Sequence, residues 1–157
     1  MNELMNAFES VFTRSNIFYM FRGLGVTLYV ALISVILSVI FGTILALFRT
    51  YGNKFLKGFS VAYIELFRNT PNLLWVLAIR FMVRMPEPFD APMYSGILAF
   101  TLFTSAVMAE IVRGGLNSVH AGQFEAAYSQ GFNFFQTMVF IILPQCYKAI
   151  VPAMLSQ

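Results

Sequence analysis

An all-α membrane protein that crosses the bilayer several times is the fold class this sequence predicts, on three observations. The 157 residues are 59% hydrophobic and only 11% charged, whereas soluble chains carry about 25% charged residues. The mean hydropathy is +0.73. Gly23 to Phe48 then runs 26 residues without a charge, against the ~20 that a helix needs to cross the hydrocarbon. A helix is also what lipid permits, because it satisfies every backbone donor and acceptor within the segment. The predicted architecture is a polytopic helical bundle. It has three complete spans at about 23–48, 59–83 and 94–112, a cytoplasmic elbow at about 119–144, and the start of a fourth span at 148–157.

Residues 1–22 contain Glu3 and Glu9 and lack a long apolar core, which argues against a cleavable signal peptide. Leu4, Met5, Phe8, Val11 and Phe12 recur at helical spacing. This segment is therefore expected to lie as a short helix in the membrane interface. Within the first span Ser34, Ser38, Gly42 and Ala46 recur every fourth residue. Such a stripe of small side chains lets another helix approach closely. The turn from Arg49 to Gly58 holds Arg49, Lys54 and Lys57 and no acid. By the positive-inside rule it is cytoplasmic, with the amino terminus outside.

The second span, 59–83, is interrupted by Glu65, Arg68, Asn69, Thr70 and Pro71. Charge inside a bilayer is costly and marks a bundle interior or a water-filled path. Glu65 and Arg68 are three residues apart, so they are expected to pair on one helical face. Pro71 removes a backbone donor and weakens the helix one turn earlier. Glu65, Arg68, Thr70 and Pro71 are thus candidates for a translocation path, with a structural ion pair as the alternative. Arg84 to Met93, with Pro86, Pro88, Pro92, Glu87 and Asp90, reads as an extracytoplasmic loop. The third span, 94–112, repeats the small stripe with Thr101, Ser105 and Ala109, and Glu110 is either a residue of the path or the partner of Arg113 in an end-of-helix pair.

The stretch Glu125-Ala126-Ala127-Tyr128-Ser129-Gln130-Gly131 forms the first half of the elbow. Phe124, Ala127 and Tyr128 share one helical face. Gly131 is where the helix stops, because glycine takes the left-handed conformation without a Cβ penalty. Asn133 caps a second helix, with Gln136 three residues on in the capping-box position. Phe132 to Pro144 has 13 residues, too few to span, so it is expected to be an interfacial or partner-docking helix that Pro144 closes or bends.

This E-A-A-x3-G pattern, nine residues and I-x-L-P resembles the EAA loop of ABC-importer permeases, the membrane subunits of binding-protein-dependent uptake systems. Glu65-Leu66-Phe67-Arg68-Asn69-Thr70-Pro71 and Ala109-Glu110-Ile111-Val112-Arg113-Gly114-Gly115 resemble further signatures of the branch for polar amino acids. Asn72-Leu73-Leu74-Trp75 departs from the usual continuation. The resemblance implies that Glu125, Ala126, Ala127, Gly131, Leu143 and Pro144 couple the chain to a separate cytoplasmic ATP-binding subunit. It also implies a second permease subunit, identical or not, an extracytoplasmic amino-acid-binding protein, and a bacterial plasma membrane. Relatives continue through the rest of a fourth span and a fifth, so the chain is expected to be cut short.

Composition limits other readings. The formal charge of +3 is modest and the basic residues are not clustered as nucleic-acid binding requires. One cysteine, Cys146, and one histidine, His120, provide neither an intrachain disulfide nor a metal site. Scattered carboxylates offer no catalytic constellation, and no G-x-x-x-x-G-K-[ST] phosphate loop occurs. The chain is therefore expected to be no enzyme and to hold no cofactor. An ion-coupled secondary transporter would show two repeated halves, which are not seen. A membrane-embedded structural subunit is the other alternative.

Overall fold

The computed structural model describes residues 12–156, which fold into helices without a strand. In chain order these are α1 (Arg14–Tyr51), α2 (Lys54–Arg68), α3 (Asn72–Met82), α4 (Pro92–Ser118), α5 (Gly122–Ser129) and α6 (Phe134–Leu155). α1, α4 and α6 are long and apolar enough to cross a membrane. The chain is a multi-pass membrane protein.

α1 and α4 run parallel to each other. Near one end the Ser34 hydroxyl donates to the Ile97 carbonyl at 3.4 Å, and further along Arg49 meets Glu110. The two small-residue stripes face each other, with Ser34, Ser38, Gly42 and Ala46 buried on α1 and Thr101, Ser105 and Ala109 buried on α4. Contact is closest at Gly42, where a Cβ would fall 2.6 Å from Met108 Cβ and 2.9 Å from the Ser105 carbonyl oxygen. Only a residue without a side chain lets the backbones approach so closely. A second close approach joins α4 to α6, where Gly115 faces Cys146 and Ile150. Ala46, Val112, Leu116, Met138, Ile142, Cys146 and Ile150 make the core between α1, α4 and α6.

Several predicted boundaries change: the second span, expected from 59, begins with α2 at Lys54, and the third, expected at 94–112, runs as α4 from Pro92 to Ser118. The first span begins nine residues before Gly23, at Arg14, because the helical pattern tolerates Arg22 where α1 is exposed to its surroundings. The interfacial helix expected for residues 1–22 lies partly outside the described residues, and residues 14–22 are the first turns of α1. The predicted split between a docking helix ending at Pro144 and a fourth span starting at 148 is not found. α6 is one helix of 22 residues. It passes Pro144 because Met138–Ile142 forms a π-helical turn, in which the Leu143 N–H bonds the Met138 carbonyl five residues back. The wider turn accommodates the proline ring and its missing donor without ending the helix.

Candidate functional site

The interruption at residues 69–71 follows from Pro71. The Phe67 carbonyl loses its i+4 donor, and the residue before a proline is pushed out of the α region. α2 therefore stops at Arg68 and α3 restarts at Asn72. The Thr70 hydroxyl turns back to the Leu66 carbonyl at 2.9 Å, satisfying one of the freed acceptors. Aromatic rings bridge the break. Tyr63 and Phe67 centroids are 4.6 Å apart, and Phe67 and Trp75 are 4.3 Å apart. The Tyr63 hydroxyl, shared between the Leu102 carbonyl and Ser105 Oγ at 2.9 Å each, fastens α2 to α4. Trp75 Nε1 is buried beside the break without a hydrogen-bond partner.

Charge at the site converges on Glu110. Its Oε2 accepts from Arg113 Nε and Nη2 at 3.0 and 2.8 Å. Its Oε1 accepts from Arg49 Nη1, and Arg68 Nη1 stands 3.8 Å away. One carboxylate on α4 thus links the ends of α1 and α2, and the cluster keeps two positive charges in excess (three guanidiniums against one carboxylate). The expected Glu110–Arg113 pair forms. The expected Glu65–Arg68 pair does not, and Arg68 turns to Glu110 instead. Both Glu65 and Arg68 are exposed, where an i,i+3 pair contributes only about 0.2–0.5 kcal/mol. The half-buried Glu110 carboxylate attracts a guanidinium more strongly because it is less screened. Sequence spacing pointed to Arg113 alone; Arg49 and Arg68 reach Glu110 only through tertiary packing.

At the same end of the bundle, α5 ends in a Schellman motif. Gly131 N–H bonds the Tyr128 carbonyl at 3.0 Å and Phe132 N–H bonds the Ala127 carbonyl at 3.1 Å. Gly131 takes φ 84°, the left-handed conformation that glycine adopts without strain. Asn133 then begins α6 with a capping box: Gln136 N–H donates to Asn133 Oδ1 at 2.9 Å, and Asn133 N–H to Gln136 Oε1 at 3.0 Å. Ala127 is buried, while Glu125, Ala126, Tyr128 and Gly131 are exposed, so Tyr128 lies on the outer rim rather than on the packed face. Leu143 and Pro144 stand on α6, about 14 Å of helical rise beyond Phe134, with Leu143 against the core. The motif residues thus divide between an exposed elbow and the span that carries it.

Contacts that no local motif signals hold the elbow to the spans. Tyr51, at the end of α1, meets Phe124 and Phe134 with ring centroids 6.1 and 5.4 Å apart. Gln145 Nε2 donates to Gln123 Oε1 at 3.0 Å, tying α6 to α5. Thr43 Oγ1 and the Tyr147 hydroxyl are 2.6 Å apart, tying α6 to α1. α5 is thereby fastened to the end of α1 and to α6.

Known proteins resemble this chain in sequence and in fold. Residues 38–157 match the family described as binding-protein-dependent transport system inner membrane component. The probable glutamine ABC transporter permease protein GlnP of Bacillus subtilis is 36% identical over 150 residues, covering 96% of this chain and 69% of the relative. The glutamate/aspartate import permease protein GltK of Escherichia coli O6:H1 is 33% identical over 147 residues, covering 88% and 66%. The crystal structure of an amino acid ABC transporter with histidines superposes with a TM-score of 0.64 at 31% identity, covering 87% of this chain and 67% of that one. The chain thus spans about two thirds of the length of the relatives it matches. By sequence and by fold, it belongs to the family of inner-membrane permease components of binding-protein-dependent transport systems.

Proposed function

We propose that this chain is a membrane-spanning subunit of an ATP-driven importer for polar amino acids in a bacterial plasma membrane. A separate cytoplasmic subunit binds and hydrolyses ATP, and this chain itself holds no cofactor. A second permease subunit completes the path and an extracytoplasmic binding protein delivers the amino acid. The relatives named for glutamine and for glutamate/aspartate import support the substrate class, and they do not favour an ion-coupled carrier. Because α1 and α4 are parallel, the basic turn of Arg49, Lys54 and Lys57 shares one end of the bundle with the elbow. The positive-inside rule makes that end cytoplasmic and the amino terminus external.

The observation that carries the reading is an elbow that is exposed outward and braced inward. Ala126 and Gly131 offer a surface with little side-chain bulk beside the exposed Glu125 carboxylate, open to close approach by a partner backbone, while Ala127 and Phe124 are set against the spans. When the ATP-binding subunits close, the elbow moves as a lever. Tyr51 and α6 carry the motion to α1 and, through Gly115, to α4. Glu110 keeps the ends of α1 and α4 together during that motion, with Arg68 of α2 standing alongside. The broken helix at Glu65, Arg68, Thr70 and Pro71 borders the path, where the excess positive charge around Arg68 attracts the substrate carboxylate.

One cysteine experiment tests docking and orientation together. With Ala126→Cys in a Cys146→Ser background, a short photocrosslinker attached through that thiol is expected to join this chain to the ATP-binding subunit in intact membranes. A cysteine at Leu24, on the exposed opposite part of α1, is expected to give no such product. Labelling of the Ala126→Cys variant by an impermeant thiol reagent from outside intact cells would reject the reading.

A further inference from the structure

The end of the bundle opposite Glu110 holds a charged cavity of ≈ 290 Å³. Arg80 comes from the last turn of α3, Arg84, Met85 and Asp90 from the α3–α4 loop, and Ser95 from the first turn of α4. Ser95 precedes Glu110 by 15 residues, about 22 Å of helical rise along α4. The cavity therefore lies well away from the arginine cluster, and Arg80 stands about 14 Å of helical rise beyond Pro71. Its size is at the small end of ligand pockets, roughly 300–1,000 Å³, and suits a single small metabolite rather than a peptide or a nucleotide.

The charges around it are not spent on one another. All three ion pairs among the described residues belong to Glu110, and Arg80, Arg84 and Asp90 take part in none. A guanidinium is a planar fork that matches a carboxylate, and a carboxylate matches an ammonium. Two guanidiniums and one carboxylate give the pocket a net charge of +1 (two cations minus one anion). The ligand that matches both the kinds and the number of these groups has two carboxylates and one ammonium. An inorganic anion would leave Asp90 facing like charge. A neutral amino acid or amino amide, with one carboxylate, would leave one guanidinium without a counter-ion. The buried Ser95 contributes a hydroxyl at the wall.

We propose that Arg80, Arg84 and Asp90, set around Ser95, form an outer binding site for an acidic α-amino acid. This rests on the importer reading and deepens it. The two guanidiniums hold the two carboxylates, Asp90 holds the ammonium, and the acidic ligand is favoured over its amide. The site receives substrate at the external face, before the path that runs past the broken helix.

The test is equilibrium binding of L-glutamate, L-glutamine and glutarate to the assembled transporter in phosphatidylcholine vesicles, without ATP or binding protein, alongside ATP-driven uptake by the complete system. L-glutamate is expected to bind about tenfold or more tighter than L-glutamine, as one added charged contact implies. Arg80→Gln and Arg84→Gln should each raise the Kd for glutamate about tenfold. Asp90→Asn should do so for glutamate and not for glutarate, which lacks the ammonium. All three side chains are exposed, so the variants should fold. Unchanged glutamate binding in all three variants, with uptake intact, overturns the site and leaves the importer reading standing. A Kd insensitive to the substitutions but altered by exchanging phosphatidylcholine for phosphatidylethanolamine gives the pocket to a lipid headgroup and also overturns it. Absence of any amino-acid uptake by the complete unaltered system defeats the importer reading, and the site with it.

Discussion

Glu110 makes the sharpest contrast at the scale of single residues. It accepts two hydrogen bonds from Arg113 and one from Arg49, whereas Arg68 stands 3.8 Å off and is half exposed to solvent. Removing the carboxylate charge leaves partly buried guanidiniums uncompensated, at a cost on the order of 1–3 kcal/mol. An exposed pair at the distance of Arg68 contributes about 0–1 kcal/mol. Glu110→Gln is thus expected to lower the thermal midpoint of the purified protein in detergent clearly, and Arg68→Gln hardly at all. Equal losses for the two would show that the cluster does not have this order. Part of this was legible beforehand: Arg113 lies three residues from Glu110 on the same helix, and local spacing found it. Glu65 lies three residues from Arg68 by the same rule, yet that pair is absent, because spacing cannot weigh a competing carboxylate on another helix.

Among the elements, the two small-residue stripes were readable because close helix packing leaves a period of four in the sequence. Gly42 is the tightest point of that packing. A methyl group there would stand 2.6 Å from Met108 Cβ, which cannot swing away, and 2.9 Å from the Ser105 carbonyl. Gly42→Ala is expected to destabilise the α1–α4 pair by about 1–3 kcal/mol, as overpacking does. Gly25→Ala, where a Cβ would meet nothing within 4 Å, should be neutral or mildly stabilising in a helix. Thermal midpoints of the two variants, measured side by side, check this; a stable Gly42→Ala would mean that the helices sit further apart. The break at Pro71 was legible for a different reason, since proline acts on its own backbone. Pro144 obeys the same chemistry, yet the helix continues. Its accommodation depends on the π-helical turn at Met138–Ile142, whose wider ring no residue pattern announced, so the docking helix and the start of the fourth span were read as two elements.

Over the whole molecule the two ends differ in character. One end gathers the basic turn, the Glu110 cluster and the exposed elbow; the other gathers the loop with Arg84 and Asp90 over Ser95. The middle is held by small residues and by the apolar core between α1, α4 and α6. Membrane composition, the elbow motif and its glycine and caps could be read directly, because each is local chemistry. The brace from Tyr51 to Phe124 and Phe134 could not, because it joins residues far apart in the chain. In the proposed coupling, that brace is what would carry a displacement of the elbow to the spans. The proposed coupling therefore rests on the elbow's aim, and Gly131 sets that aim through its left-handed backbone. Nothing lies within 4 Å of where its Cβ would be, so a substitution there acts through backbone strain alone, about 1–2 kcal/mol for an ordinary side chain. The most direct measurement is substrate-stimulated ATP hydrolysis by the reconstituted transporter carrying Gly131→Val, with Gly131→Asn beside it, because asparagine tolerates this conformation better. The account predicts that Gly131→Val inserts and assembles but loses most of the stimulation, while Gly131→Asn keeps most of it. Full stimulation in Gly131→Val would contradict the claim that this elbow couples ATP hydrolysis to transport.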